Sequence, residues 1–274
     1  MTPAASGALR ARVLTALVLG VLLVSAVLGL PAVATQALVA AAMLAGAWEW
    51  SLFLRPASRA ARLVYVVLVA IALAAAWLAT RDPASLRAFL AAAAAWWVVA
   101  LGWLALRPGR GGPLAAAIAG VLALVPCGVA LAEFRALEPR GASLLLFALL
   151  LIVAADTGAF FVGRQLGRVR LAPQVSPGKT WEGAIGGVVL ASVVAVAGAR
   201  WFGLPPVAML GIGVATAAFS IVGDLTESMF KRHTGLKDSG SLFPGHGDVL
   251  DRIDSVSAGA PVMLLGLLQI EGVR

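Results

Sequence analysis

Six of the thirteen acidic residues, and both histidines, fall between Gly223 and Ser255 of this 274-residue chain. Within that stretch Asp224-Leu225-Thr226-Glu227-Ser228 and Asp251-Arg252-Ile253-Asp254-Ser255 share one form, acid-x-x-acid-Ser. On a helix, positions i, i+3 and i+4 lie on one face. Two such faces at neighbouring helix ends would gather four carboxylates and two hydroxyls. Acids this dense repel one another unless cations or basic side chains neutralise them. Hard oxygen donors of this kind suit Mg²⁺, which is typically held by one or two carboxylates together with substrate phosphates. Asp224, Asp251, Glu227 and Asp254 are therefore the candidate metal ligands. Zinc is disfavoured, because two histidines and the distant Cys127 make a poor donor set.

Basic residues around these acids complete a site for phosphate. Lys231, Arg232, Lys237 and Arg252 can bind phosphate oxygens by charge, and arginine does so through a bidentate fork. Pro244-Gly245-His246-Gly247 reads as a turn whose glycines let backbone amides approach a ligand, with His246 as a candidate phosphate contact. A second polar stretch is expected at the same membrane face. Asp156 stands inside an apolar span, a placement costly enough to signal function. Ser176, Lys179 and Thr180 follow, ahead of a glycine-rich helix start that could hold an anion. Gly178-Lys179-Thr180 invites a P-loop reading. The first glycine of that motif would fall on Pro173 and no strand is expected before it, so the reading fails.

The elements that must position these groups are membrane helices. Apolar residues make up 61% of the chain and charged ones 12%, about half the usual share, and mean hydropathy is +0.97. Those figures exclude a soluble globular domain, a disordered chain and a disulfide scaffold. Nine apolar stretches approach the ~20 residues needed to cross a bilayer: Val13–Leu30, Ala32–Leu54, Leu63–Thr80, Ala88–Leu106, Leu114–Ala132, Ser143–Val162, Gly183–Ala199, Val207–Gly223 and Ser255–Ile270. The backbone finds no hydrogen-bond partner in hydrocarbon, so each is expected to be a helix. The fold class is all-α, a polytopic membrane bundle. The first stretch is too long for a typical signal-peptide core and is read as a retained span. With the N-terminus in the cytoplasm, 15 of the 21 Lys and Arg face inside. Residues 1–140 read as scaffold helices and 141–274 as the region carrying chemistry, with cytoplasmic loops at 164–182 and 224–254. Net charge is +8, yet no basic run interleaves with aromatics, so nucleic acid is not an expected partner.

Ser228 to Arg232, Lys237-Asp238, Pro244 to Gly247 and Asp251 to Asp254 together closely resemble the signature of the phosphatidate cytidylyltransferases, or CDP-diacylglycerol synthases. Asp156 to Arg164 and Ser176 to Gly183 are similar to other blocks of that family, and Trp48-Glu49-Trp50 is similar to a third. Two positions depart from the pattern. Asp248 stands where a second glycine follows the His-Gly pair, and Gly178 stands where a basic residue is usual. The resemblance implies CTP and phosphatidate as substrates, CDP-diacylglycerol and pyrophosphate as products, and Mg²⁺ as cofactor. It implies a multi-pass protein of a bacterial inner membrane with its site facing the cytoplasm. Asp224 and Asp251 would be the main ligands, with Glu227 and Asp254 beside or behind them. Asp224, Asp251, Lys231 and Arg252 would carry catalysis. Ser176, Lys179, Thr180, Arg232, Lys237, Asp238 and His246 would bind substrate, and Asp238 could orient a lysine or the cytosine. A second cation and a homodimer are compatible with the same residues. An ion-coupled transporter and a CTP-dependent polyprenol kinase are the rival readings. The transporter is disfavoured by the absence of repeat halves.

Overall fold

A computed structural model describes residues 17–55, 58–108, 111–235 and 248–270. Among the described residues the chain forms nine α-helices: α1 (Leu17–Gly29), α2 (Ala32–Trp50), α3 (Arg59–Ala79), α4 (Pro83–Leu106), α5 (Pro113–Ala136), α6 (Gly141–Leu166), α7 (Trp181–Phe202), α8 (Pro206–Thr234) and α9 (Leu250–Leu267). Each expected apolar stretch coincides with one helix. The seven from α2 to α8 are long and apolar enough to cross a membrane. The described part of α1 is shorter, and α9 opens on the polar run from Asp251 to Ser257.

Local chemistry sets several boundaries. Asp82 caps α4, its Oδ1 accepting from the backbone amides of Ala84 (3.1 Å) and Ser85 (2.9 Å), and Pro83 fills the first helical position. Ser58 caps α3 by accepting from the Ala61 amide. The core lies along α5, whose residues from Ala123 to Ala132 are buried without interruption, Cys127 among them. α2 is fastened to it by Trp50, whose indole donates to the Ala116 carbonyl at 2.8 Å. Tyr65 of α3 donates to the Ala117 carbonyl at 3.1 Å. Trp50 and Phe53 also meet Phe230 of α8, giving the site-bearing helix an aromatic backing. The tryptophans divide: Trp201 and Trp181 stand exposed near the ends of α7, whereas Trp50 and Trp97 are core residues.

Two features differ from the sequence expectation. The segment after α6 is not wholly loop. β1 (Arg170–Ala172) and β2 (Ser176–Thr180) pair antiparallel, with Arg170 opposite Thr180 and Ala172 opposite Ser176. The helical extent is also larger than hydropathy suggests. The eighth stretch was expected to end at Gly223, but α8 continues to Thr234, so Asp224, Glu227 and Lys231 sit on helix rather than in a loop.

Candidate active site

Three structural joints bring the polar groups together. The first is between α8 and α9. A Cβ built on Gly223 would lie 2.4 Å from the Asp254 carbonyl oxygen, so only glycine permits this approach of the two helices. The second is the start of α9. Its first residues have no capping side chain of their own. Glu49 of α2 supplies one from across the molecule, accepting from the amides of Val249 (3.2 Å) and Leu250 (2.7 Å). A carboxylate there satisfies orphan donors and meets the positive end of the helix dipole. Glu49 is 1% exposed, so this buried charge is spent on fixing where Asp251 and Asp254 begin. The third joint is the hairpin. Thr180 ends β2 and caps α7, its Oγ1 accepting from the Gly183 amide at 3.1 Å. Glu182 accepts from the amides of Arg168 and Val169 and ties the entry of β1 to the same helix start. This seats Lys179 over α8.

The result is a cavity of about 470 Å³ between α6, the hairpin, α8 and α9. That volume is within the range of small-molecule sites. Four carboxylates reach its wall: Asp156 from α6, Asp224 from α8, and Asp251 and Asp254 from α9. Lys179, Thr180, Arg164 and Ser255 share it. Lys179 forms an ion pair with Asp224. Lys231 bridges Asp251 and Glu227, meeting the latter at 2.6 Å. Ser255 donates from its hydroxyl to Asp156 at 3.1 Å and from its amide to Asp254 at 2.6 Å. Ser228 donates to Asp224 at 3.4 Å. Acids and cations thus alternate across three helices and the hairpin.

Of the residues singled out from sequence, Asp224, Asp251, Asp254, Lys179 and Thr180 line the cavity. Lys231 reaches it through Asp251. Glu227 does not line it. It is 2% exposed and captured by Lys231 one turn on, because an i,i+4 lysine is closer than the cavity. Its geometry suits holding Lys231 rather than a metal. Arg232 donates from Nε to the Val175 carbonyl at the hairpin turn, linking α8 to β2 from outside the cavity. Ser176 stands on β2 away from the lining, and Arg252 is exposed in the first turn of α9. Lys237, Asp238 and His246 lie outside the described residues. Glu49 and Arg164 fall in family-like stretches, but the sequence pattern assigns neither a role. Asp156 was marked as functional by its cost in an apolar span, but its partner on α9 could not be read.

The donor set fits a hard divalent cation. Four carboxylates share one wall, and two are held by lysines that a bound cation could relieve. Among the described residues no three Asp, Glu, His or Cys side chains converge closely enough to hold a metal by themselves. A cation here would take one or two carboxylates and complete its shell with phosphate oxygens and water, the usual arrangement for Mg²⁺.

Residues 10–269 match the model of the cytidylyltransferase family. Among curated proteins, the phosphatidate cytidylyltransferase of Haemophilus influenzae is 37% identical over 92% of this chain and 96% of its own length. The protein of that name from Pseudomonas aeruginosa is 38% identical over 93% of this chain and 95% of its own. That of Brucella suis is 42% identical over 58% of each.

Proposed function

This chain belongs to the cytidylyltransferase family, and on that premise we propose that it transfers CMP from CTP to phosphatidate, giving CDP-diacylglycerol and pyrophosphate. The observation that carries the reading is the cavity itself. It opens at one end of a multi-pass membrane bundle, with carboxylates from three helices and a lysine from the hairpin on one wall. An apolar bundle suits a lipid that arrives sideways, and a charged cavity suits a nucleotide that arrives from water. The excess of Lys and Arg on the same side supports a cytoplasmic opening at a bacterial inner membrane.

The chemistry asks little of a general base. The phosphate of phosphatidate carries roughly 1.5 to 2 negative charges near neutral pH, as phosphate monoesters do. One of its oxygens forms a bond to the α-phosphorus of CTP while the bond to the bridging oxygen breaks, and pyrophosphate leaves with that electron pair. The barrier is repulsion between two anions and charge building on the leaving group. Fixed cations lower it by positioning and electrostatic stabilisation. Asp224 and Asp251 would hold Mg²⁺, with Asp254 and Asp156 on the same wall. When bound, the ion supplies charge neutralisation for the phosphates. Lys179 and Lys231, held at the carboxylate wall by Asp224 and Asp251, would bind phosphate oxygens by charge. Glu227 keeps Lys231 within reach. Arg164 on the cavity lining would bind phosphate oxygens by charge, while Arg252, exposed in the first turn of α9, and Ser176 on β2 are candidate contacts outside that lining.

Purified chain in lipid, given CTP labelled at the α-phosphorus, phosphatidate and Mg²⁺, should form a labelled lipid that a chelator abolishes. Label entering lipid only from the γ-position would identify a kinase instead. No covalent product would remove the reading.

A further inference from the structure

We propose a second anion site, separate from the carboxylate cavity, that takes a phosphate group in a recess where α2 ends and α3 begins. The recess is about 700 Å³ and is bordered by Trp48, Leu52, Arg55, Ser58, Arg59 and Arg62. Arginines near a membrane face ordinarily reflect orientation alone. Three observations set these apart. They converge on one concavity instead of spreading along a loop. They are prepared in position: Arg62 stacks on the Trp48 ring at 3.9 Å and is anchored from behind by donating to the Ser51 hydroxyl (2.9 Å) and the Trp48 carbonyl (2.7 Å). Arg55 holds a left-handed backbone conformation, φ 50°, and donates to the His233 carbonyl at 2.8 Å. Finally, among the described residues no carboxylate borders the recess and none forms an ion pair with any of the three. Arg59 lies 5.9 Å from the Trp48 ring and makes no hydrogen bond to a described residue.

Three guanidinium groups with no ion-pair partner among the described residues, two of them fixed, fit a phosphate that accepts from several forks at once. The place suits a headgroup. Leu63, Val64 and Val67 of α3 stand exposed immediately beyond Arg62, so the recess lies at the boundary between apolar and polar surface. Basic pockets between membrane helices bind anionic headgroups on this principle. Soluble phosphate offers the same oxygens. An occupant held by Arg55 would also bear on the C-terminal turn of α8, the helix that carries Asp224 and Lys231.

The full chain, purified in a neutral detergent, can be titrated with phosphatidylglycerol, with zwitterionic phosphatidylethanolamine, and with inorganic phosphate. Native mass spectrometry and the thermal unfolding midpoint report binding without any turnover, so the outcome is independent of the proposed reaction. Arg59→Ala should weaken phosphatidylglycerol binding by about tenfold, while Arg200→Ala at the far end of α7 leaves it unchanged. Ser58 caps α3 and Arg59 holds nothing in place, so the variant should fold. Arg55→Ala provides a second test should it not. The same pattern with inorganic phosphate alone would assign the recess to a soluble ligand. Equal binding of both probes by wild type and by the two arginine variants, or no preference for phosphatidylglycerol over phosphatidylethanolamine together with no phosphate binding, overturns the proposal.

Discussion

α3 and α8 are both long apolar helices, yet they treat charge in opposite ways. α3 buries only Tyr65 and Val69 and keeps its arginines in the first turn, where they reach the interface. α8 carries Asp224 and Glu227 inside its length and Lys231 in its last turn, and buries Thr216, Ser220 and Thr226 besides. The Ser220 and Thr226 hydroxyls are satisfied by its own backbone, Ser220 donating to the Thr216 carbonyl and Thr226 to that of Val222. Its charges are met within the helix, where Lys231 pairs with Glu227, and by other elements: the hairpin through Lys179 and α9 through Asp251. A hydrocarbon surrounding makes each unpaired polar group expensive. α3 meets that cost by having almost none, α8 by pairing its charges. Charge in this molecule therefore marks where packing must be accurate.

The comparison is broken most severely by removing a shared partner. Lys231→Met would leave Glu227 buried and uncompensated and Asp251 without its cation. Loss of one member of a buried ionic group costs about 3–5 kcal/mol. A large drop in the thermal unfolding midpoint is expected, with part of it restored in Lys231→Met/Glu227→Gln. An unchanged midpoint would show that the network contributes nothing to holding α8 against α9.

Next comes the chemistry. Asp251→Asn should lower CMP transfer by about 10²–10³ with little change in the midpoint, since Lys231 keeps Glu227. Near-normal turnover would refute its assignment as a ligand. Lys179→Ala should raise the KM for CTP or phosphatidate, and unchanged values for both would take it out of the site.

These residues were legible in the sequence for a physical reason. Acids are so costly in an apolar chain that their clustering between Gly223 and Ser255 needed a function, and nine apolar stretches predicted nine helices. Other features were illegible for equally physical reasons. Hydropathy falls at the first charge, so Gly223 looked like the end of a span, although partners let α8 run on to Thr234. The i,i+3 spacing of Asp224 and Glu227 placed both on one face. It could not say that an i,i+4 lysine would draw Glu227 aside. Ser176-Pro177-Gly178 falls in what reads as the loop 164–182, and only pairing with β1 makes it strand. Glu49 is two hundred residues from the amides it caps, a contact no local pattern encodes.

The joints that seat the carboxylates should give intermediate effects. Gly223→Ala would force a methyl against the Asp254 carbonyl and part α8 from α9, at about 1–3 kcal/mol. Turnover should fall with it, because Asp224 and Asp254 would no longer share a wall. Glu49→Ala should cost about 1–3 kcal/mol by leaving buried amide donors unmet. As a positioning residue, Glu49 should affect kcat more than KM, and Glu49→Gln, which keeps one acceptor oxygen, should recover part of the loss. Equal changes in both constants, with no recovery by glutamine, would indicate general loosening instead.

The smallest effect is expected on α3, and it tests the other side of the comparison. Leu68 is 55% exposed on a helix face it shares with the exposed Val64 and Ile71. Lipid tails are as apolar as leucine, so shortening such a side chain transfers nothing between unlike surroundings. Leu68→Ala should therefore change stability by less than about 0.5 kcal/mol and leave turnover within twofold. A fall in the midpoint as large as that of Gly223→Ala would mean that Leu68 packs on protein, and a second copy of the chain is the obvious source of such a surface. α3 would then be an interface rather than a wall facing lipid, and its lack of buried charge would reflect what covers it instead of the solvent it meets.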